Sequence, residues 1–181
     1  DEKGEWCQLF QIGFGGVPGR PVGDGPDGHS LWPAFTNVPN EFIEAYFPLR
    51  VEKYETIIDS GGPGLHRGGN GLCVAYRFLA DGQIGIHDDR WLTFPWGVNG
   101  GKPGRRSTKI LHREGEDPQV VPAKCEGIKV SKGDLLYFNT WGGGGWGDPL
   151  ERDPELVLTD INRRLVSIEG ALNYGVVVVD G

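Results

Sequence analysis

Residues 51–80 read "VEKYETIIDSGGPGLHRGGNGLCVAYRFLA". Apolar and polar residues alternate at both ends, the signature of two half-buried strands. Between them, "DSGGPGLHRGGNG" (59–71) places six glycines, one proline, one histidine and one arginine in thirteen positions. Each glycine costs roughly 0.5–1 kcal/mol of conformational entropy relative to alanine inside a regular element, so this stretch is no packed helix. It predicts an ordered loop joining two strands.

Upstream, "WCQLFQIGF" (6–14) alternates loosely and reads as a strand, and "GGVPGRPVGDGPDGHSLWP" (15–33) as a long loop. "NEFIEAYFPLR" puts Phe42, Ala45 and Tyr46 on one helical face, with Asn40 as N-cap. Pro48 should end that helix after about two turns. Downstream, a turn at Asp81–Gly82 leads into "QIGIHDDRW", and "KILH", "QVVPAKCEGIKV" and "GDLLYFNTW" give further short strands. Turns at Gly115–Glu116 and Lys132–Gly133 separate them. After "GGGGWGDPLE", Asp153 caps a helix with Pro154 at its first position, and Val157, Ile161 and Leu165 form its apolar face. Ser167 caps a second short helix that stops at Gly175. The expected fold is α+β and mainly β. An antiparallel, short-stranded body with long glycine-rich loops spans 1–150, and a helical tail over 151–181 packs on that body or on a partner.

The 181 residues suit one domain, and 38% hydrophobic with 24% charged residues allows a modest core. Net charge of −7 with no basic face argues against nucleic acid. No apolar run approaches the ~20 residues of a membrane span, and the start carries no secretory signal pattern. The expected location is the cytoplasm, with Cys7, Cys73 and Cys125 as isolated buried thiols. The absence of methionine, and a start that runs straight into a glycine-rich loop, suggest a piece of a longer polypeptide or a subunit matured by cleavage.

Two segments match GxGxxG, Gly23–Gly25–Gly28 and Gly142–Gly144–Gly147. Neither sits in a strand–helix–strand return, so neither is a dinucleotide fingerprint. "NGGKPG" has Pro103 where a phosphate-binding loop needs Ser or Thr. His29, His66 and "HDDRW" (87–91) lack the spacing of a metal site; Asp88 and Asp89 read as turn residues or partners of Arg90. Arg67 has two readings. Flanked by Gly62, Gly64, Gly68 and Gly69, it could complete an anion-binding nest of backbone N–H groups. It could equally pair with Asp59 or another carboxylate and hold the loop. "RWLTFPWGVNGG" and "TWGGGGWGDP" interleave tryptophan and glycine, as pocket linings or as rings stacked over backbone.

Taken together, "NVPNEFIEAYFPLRVEKYETIIDSGGPGLHRGGNGL", "HDDRWLTFPWGVNGGKPG" and "TWGGGGWGDPLERDPELVLTDINRRLVSIEGALNYGVV" resemble the hydantoinase B family. That family also contains the second half of 5-oxoprolinase and the α subunit of acetone carboxylase. The resemblance runs from about Phe10 to Val179 and matches the C-terminal portion of the longer family members. "FGGVPGRPVGDGPDGHSLWP" and "HDDRWLTFPWGVNGG" look closer to the ketone carboxylases than to ordinary hydantoinases. The resemblance implies a subunit, or a C-terminal fragment of one, in an ATP-dependent enzyme. Its substrate would be a ketone to carboxylate or a cyclic amide to hydrolyse, phosphorylated by a hydantoinase A-type ATPase subunit. ATP and a divalent metal (Mg, Mn or Zn) are expected in the complex, neither clearly bound by this chain. The family's metal ligands lie in the upstream N-terminal portion, so no metal ligand is carried onto His29, His66 or His87. Arg67, His87 and Asp88 are the candidate catalytic residues, and Gly62, Gly64, Gly68 and Gly69 the candidate substrate-binding residues. The alternative is a non-catalytic assembly module that docks the ATPase subunit.

Overall fold

A computed structural model describes residues 6–29 and 36–179. The end of the loop read over 15–33 falls at residues 30–33, outside the described residues, as do both chain ends.

The strands on either side of the glycine loop are β1 (Leu49–Thr56) and β2 (Leu72–Phe78), paired antiparallel from Leu49↔Phe78 to Thr56↔Leu72. They belong to a five-stranded sheet that also contains β4 (Thr108–His112), β5 (Gln119–Val120) and β7 (Leu135–Asn139) in the order β1-β2-β7-β4-β5. β3 (Gly82–His87) and β6 (Lys124–Val130) form a separate antiparallel pair. Gly115 (φ 73°) and Gly133 (φ 99°) sit at expected turns, in the left-handed region open to glycine without a Cβ clash. The β3–β6 pair packs on the five-stranded sheet through Phe78, Ile86, Leu111, Val121, Val130 and Leu136. This α+β, antiparallel architecture is the one the sequence predicts.

Helix α1 (Asn40–Tyr46) ends before Pro48 as expected, but it is anchored differently. Asn40 is its first residue, after Pro39 at the cap, and Ile43 is the buried side chain. Phe42 and Tyr46, which share the expected face, are exposed and lie against each other at a tilt, with ring centroids 4.3 Å apart. Residues 6–14 form no strand. Ile12 meets the side-chain amide of Asn37 instead of a strand: its N–H donates to Oδ1 (2.8 Å) and its carbonyl accepts from Nδ2 (2.7 Å). The three cysteines are free thiols, but Cys7 is exposed and Cys73 and Cys125 are only half-buried, contrary to expectation.

Helix α2 (Pro154–Asn162) begins as the sequence dictates, with the Asp153 carboxylate accepting from the Glu155 N–H at 2.9 Å. Val157 is fully buried and packs with Val166, Ala171 and Tyr174, flanked by Ile161. Leu165 lies beyond the helix end. A 3-10 turn at Gly170–Tyr174 follows, its first N–H donating to the Ser167 hydroxyl (2.8 Å) and its end marked by Gly175 (φ 69°). No helix among the described residues is long and apolar enough to cross a membrane.

Candidate functional site

Four irregular glycine-rich segments converge at one end of the five-stranded sheet: residues 15–29, 59–71, 95–106 and 141–147. They are bound laterally by backbone hydrogen bonds. The N–H groups of Gly16, Gly19 and Gly62 donate to the carbonyls of Trp141, Gly144 and Gly143 at 2.7–2.8 Å, and Gly69 N–H donates to Val17 O. His66 and Trp146 exchange both bonds at 2.9 Å. The backbones lie so close that a Cβ added at Gly68 or Gly142 would overlap the carbonyl of Gly143 or Ser60. Glycine is required here because one main chain lies against another.

This answers what the four candidate glycines do. Gly62, Gly68 and Gly69 donate their N–H groups to carbonyls of Gly143, Gly62 and Val17, so they form no open anion nest. Gly64 has no room for a Cβ against the backbone of Trp146. All four serve close packing of loops.

Arg67 projects from this assembly into a buried ionic network. Its Nη1 and Nη2 donate to both Asp27 oxygens at 2.7 and 3.1 Å, and its Nε to Asp160 Oδ1 at 3.3 Å. Arg152 repeats the pattern, donating through Nη1 and Nη2 to Asp24 at 2.8 Å each and through Nη2 to Asp160 Oδ2 at 2.7 Å. Asp160 on α2 thus bridges two guanidiniums, and its side chain is only 6% exposed. The backbone N–H of Arg67 donates to Asp24 and that of Asn70 to Asp27. Planar guanidinium–carboxylate forks fix orientation as well as charge.

Burial on its own would raise the Asp24 carboxyl, but the Arg152 hydrogen bonds and the charges of Arg152 and Arg67 outweigh it and hold it below its ordinary value. Burial lowers both guanidiniums in turn, yet Asp27 beside Arg67 and Asp24 beside Arg152 raise each above the ordinary arginine value. The Arg67 partners are therefore Asp27 and Asp160, not Asp59. Asp59, at φ 59°, accepts the Ser167 N–H at 2.9 Å. Asp24, Asp27, Arg152 and Asp160 escaped sequence reasoning. The acids of "GDGPD" and the arginine of "ERDP" were visible, but Asp27 lies 40 and Asp160 93 positions from Arg67.

His87 and Asp88 are adjacent in sequence yet sit in opposite environments. His87 is exposed at the end of β3, with Nε2 2.6 Å from Glu126 Oε1. Asp88 is buried and receives Lys109 Nζ and Ser107 Oγ. Lys109, fully buried on β4, also lies over the Phe138 ring at 4.4 Å. Burial lowers the Lys109 ammonium below its ordinary value against the opposing pull of Asp88. Neither His87 nor Asp88 joins Arg67. Asp88 is paired with an internal lysine.

A cleft of about 260 Å³ opens beside the network, lined by Asp59, Arg67, Lys102, Leu165, Asn173 and Tyr174 among others. Burial pushes the Tyr174 hydroxyl up to about 12. Among the described residues no His, Cys, Asp and Glu side chains group to hold a metal ion. The three aspartates that do converge have their oxygens taken by guanidiniums, so they do not fit a cation.

A family model described as hydantoinase B/oxoprolinase matches residues 1–149. The chain is 36% identical to the putative B-type subunit of a D-/L-hydantoinase from Pseudomonas sp. strain NS671, over 97% of this chain and 30% of that protein. Its fold overlays on the crystal structure of the ATP-dependent caprolactamase from Pseudomonas jessenii with a TM-score of 0.77 and 27% identity, covering 92% of this chain and 30% of that one. It overlays on nucleotide-free acetone carboxylase with a TM-score of 0.73 and 25% identity, covering 89% of this chain and 26% of that one. The chain thus spans about a quarter to a third of the length of these three relatives. On motif, fold and match together, the chain belongs to the hydantoinase B/oxoprolinase family.

Proposed function

We propose that the chain works within an ATP-dependent, multi-subunit enzyme that opens cyclic amides, beside a hydantoinase A-type ATPase subunit. The observation that carries this reading is the match to a hydantoinase component along nearly the whole chain. The overlay with caprolactamase, a ring-opening enzyme by name, supports it. Within that enzyme the chain is a rigid wall. Its buried charges are neutralised internally: Arg67 and Arg152 by three aspartates, and Lys109 by Asp88. A wall with satisfied polar groups can exclude water from neighbouring chemistry without competing for the reacting molecule. Nucleotide and metal would be held outside this chain. The division into a body over 1–150 and a tail over 151–181 fits this role as an internal brace, because Arg152 and Asp160 tie the tail to Asp24 and Arg67.

Ketone carboxylation is the second reading, favoured by the overlay with acetone carboxylase and by the "HDDRW" and "FGGVPGRPVGDGPDGHSLWP" stretches. The two are separated by measuring ADP release from the co-purified complex. Hydantoins, 5-oxoproline and lactams form one substrate set, ketones with bicarbonate the other. The proposal predicts stimulation by a cyclic amide; stimulation by ketone plus bicarbonate alone would overturn it.

A further inference from the structure

The segment between β3 and β4 carries a feature that the wall does not use. From Arg90 to Ser107 the chain contains Arg90, Lys102, Arg105 and Arg106 and no Asp or Glu, although the 181 residues together carry a net charge of −7. The flanking acids are already engaged, Asp88 with Lys109 and Asp89 with Lys124 at 3.5 Å. Among the described residues none of these four cations forms an ion pair. The same segment exposes Leu92 (73%), Phe94 (53%), Trp96 (65%) and Val98 (47%).

This surface is fixed in shape. Its neck closes where Ser107 N–H donates to Arg90 O at 3.1 Å. Gly104 N–H donates to Pro95 O, and Val98 N–H to Gly145 O. The Arg90 guanidinium lies 4.5 Å from the Trp96 ring centroid and that of Arg106 4.6 Å from Phe94. Stacking holds these two guanidiniums over apolar rings; Arg106 Nη1 also donates to Leu92 O at 3.2 Å, and the remaining N–H groups of the pair are available to carboxylates.

Resting on the multi-subunit reading above, we propose that this loop docks an acidic surface of another subunit of the enzyme. The charge commits the occupant, since four uncompensated cations on an otherwise acidic chain match carboxylates. Aromatic residues and arginine are also the types enriched where separate subunits meet, and arginine is rare inside a hydrophobic core. The docked subunit would border the cleft, because Lys102 lines it.

The test measures association of the intact subunit containing this chain with the purified hydantoinase A-type subunit. Variants are Arg90→Glu/Arg106→Glu and Trp96→Ala, with Arg50→Glu on β1 as control. The proposal expects affinity to fall by on the order of tenfold or more in the first two and to hold in the control. Wild-type affinity should also weaken as salt rises from about 0.05 to about 0.5 M, more steeply than that of the charge-reversed variant. Unchanged affinity in the variants overturns the docking site while leaving the multi-subunit reading intact. No association of the wild type overturns both. A fall in the subunit's own melting temperature with unchanged affinity would place the loop against its own polypeptide. Variant-sensitive self-association, or binding of heparin in place of the subunit, would likewise refute it.

Discussion

At the residue scale, Arg67 and Arg152 share Asp160 and each hold a further aspartate in a two-pronged grip. Removing one member strands buried charge. Arg67→Met should therefore lower unfolding free energy by about 3–5 kcal/mol, read as a shift in the urea midpoint. Asp88→Asn should cost a similar amount, about 3–5 kcal/mol, by leaving Lys109 buried and unpaired. Adding Lys109→Met to it should recover most of that loss. The network also predicts an acid limb. Asp24 is held below its ordinary 3.8 in the folded state, so the unfolded chain binds the proton more readily. Its contribution is fully present above that value and is lost as pH falls through the lower folded value. Urea midpoints measured downward from about pH 4 should thus fall less steeply for Asp24→Asn than for wild type.

At the element scale, the glycine segments act like a tongue-and-groove joint. An added methyl at Gly142 would overlap the Ser60 carbonyl, whereas one at Gly82 would lie 3.9 Å from Val130 Cγ2. Gly142→Ala should cost at least about 3 kcal/mol and Gly82→Ala well under about 1, both measured by thermal or urea unfolding. Strand alternation and the Asp153–Pro154 start made β1, β2 and α2 legible in the sequence, because those signals are local. Residues 6–14 misled because loose alternation does not name a partner, and theirs is the Asn37 amide. The α1 face misled because a short helix can be anchored by Ile43 alone, leaving Phe42 and Tyr46 outside.

At the scale of the whole molecule, the glycine motifs were legible as a family signature long before their use was. Sequence could see Arg67 among glycines but could not see Asp27 and Asp160 arriving from distant segments. It read the glycines by the freedom of their N–H groups, whereas Gly62, Gly68 and Gly69 donate theirs to carbonyls within the joint. On the function proposed above, residues 59–71 are a structural joint, tied through Arg67 to Asp27 and Asp160, and the reacting molecule is handled elsewhere. The most direct test is Arg67→Met in the assembled complex, with melting temperature and steady-state kinetics taken on the same preparation. The account predicts a lower melting temperature, with kcat and KM of the folded complex within about threefold of wild type. An unchanged melting temperature with kcat reduced by more than about tenfold would contradict it.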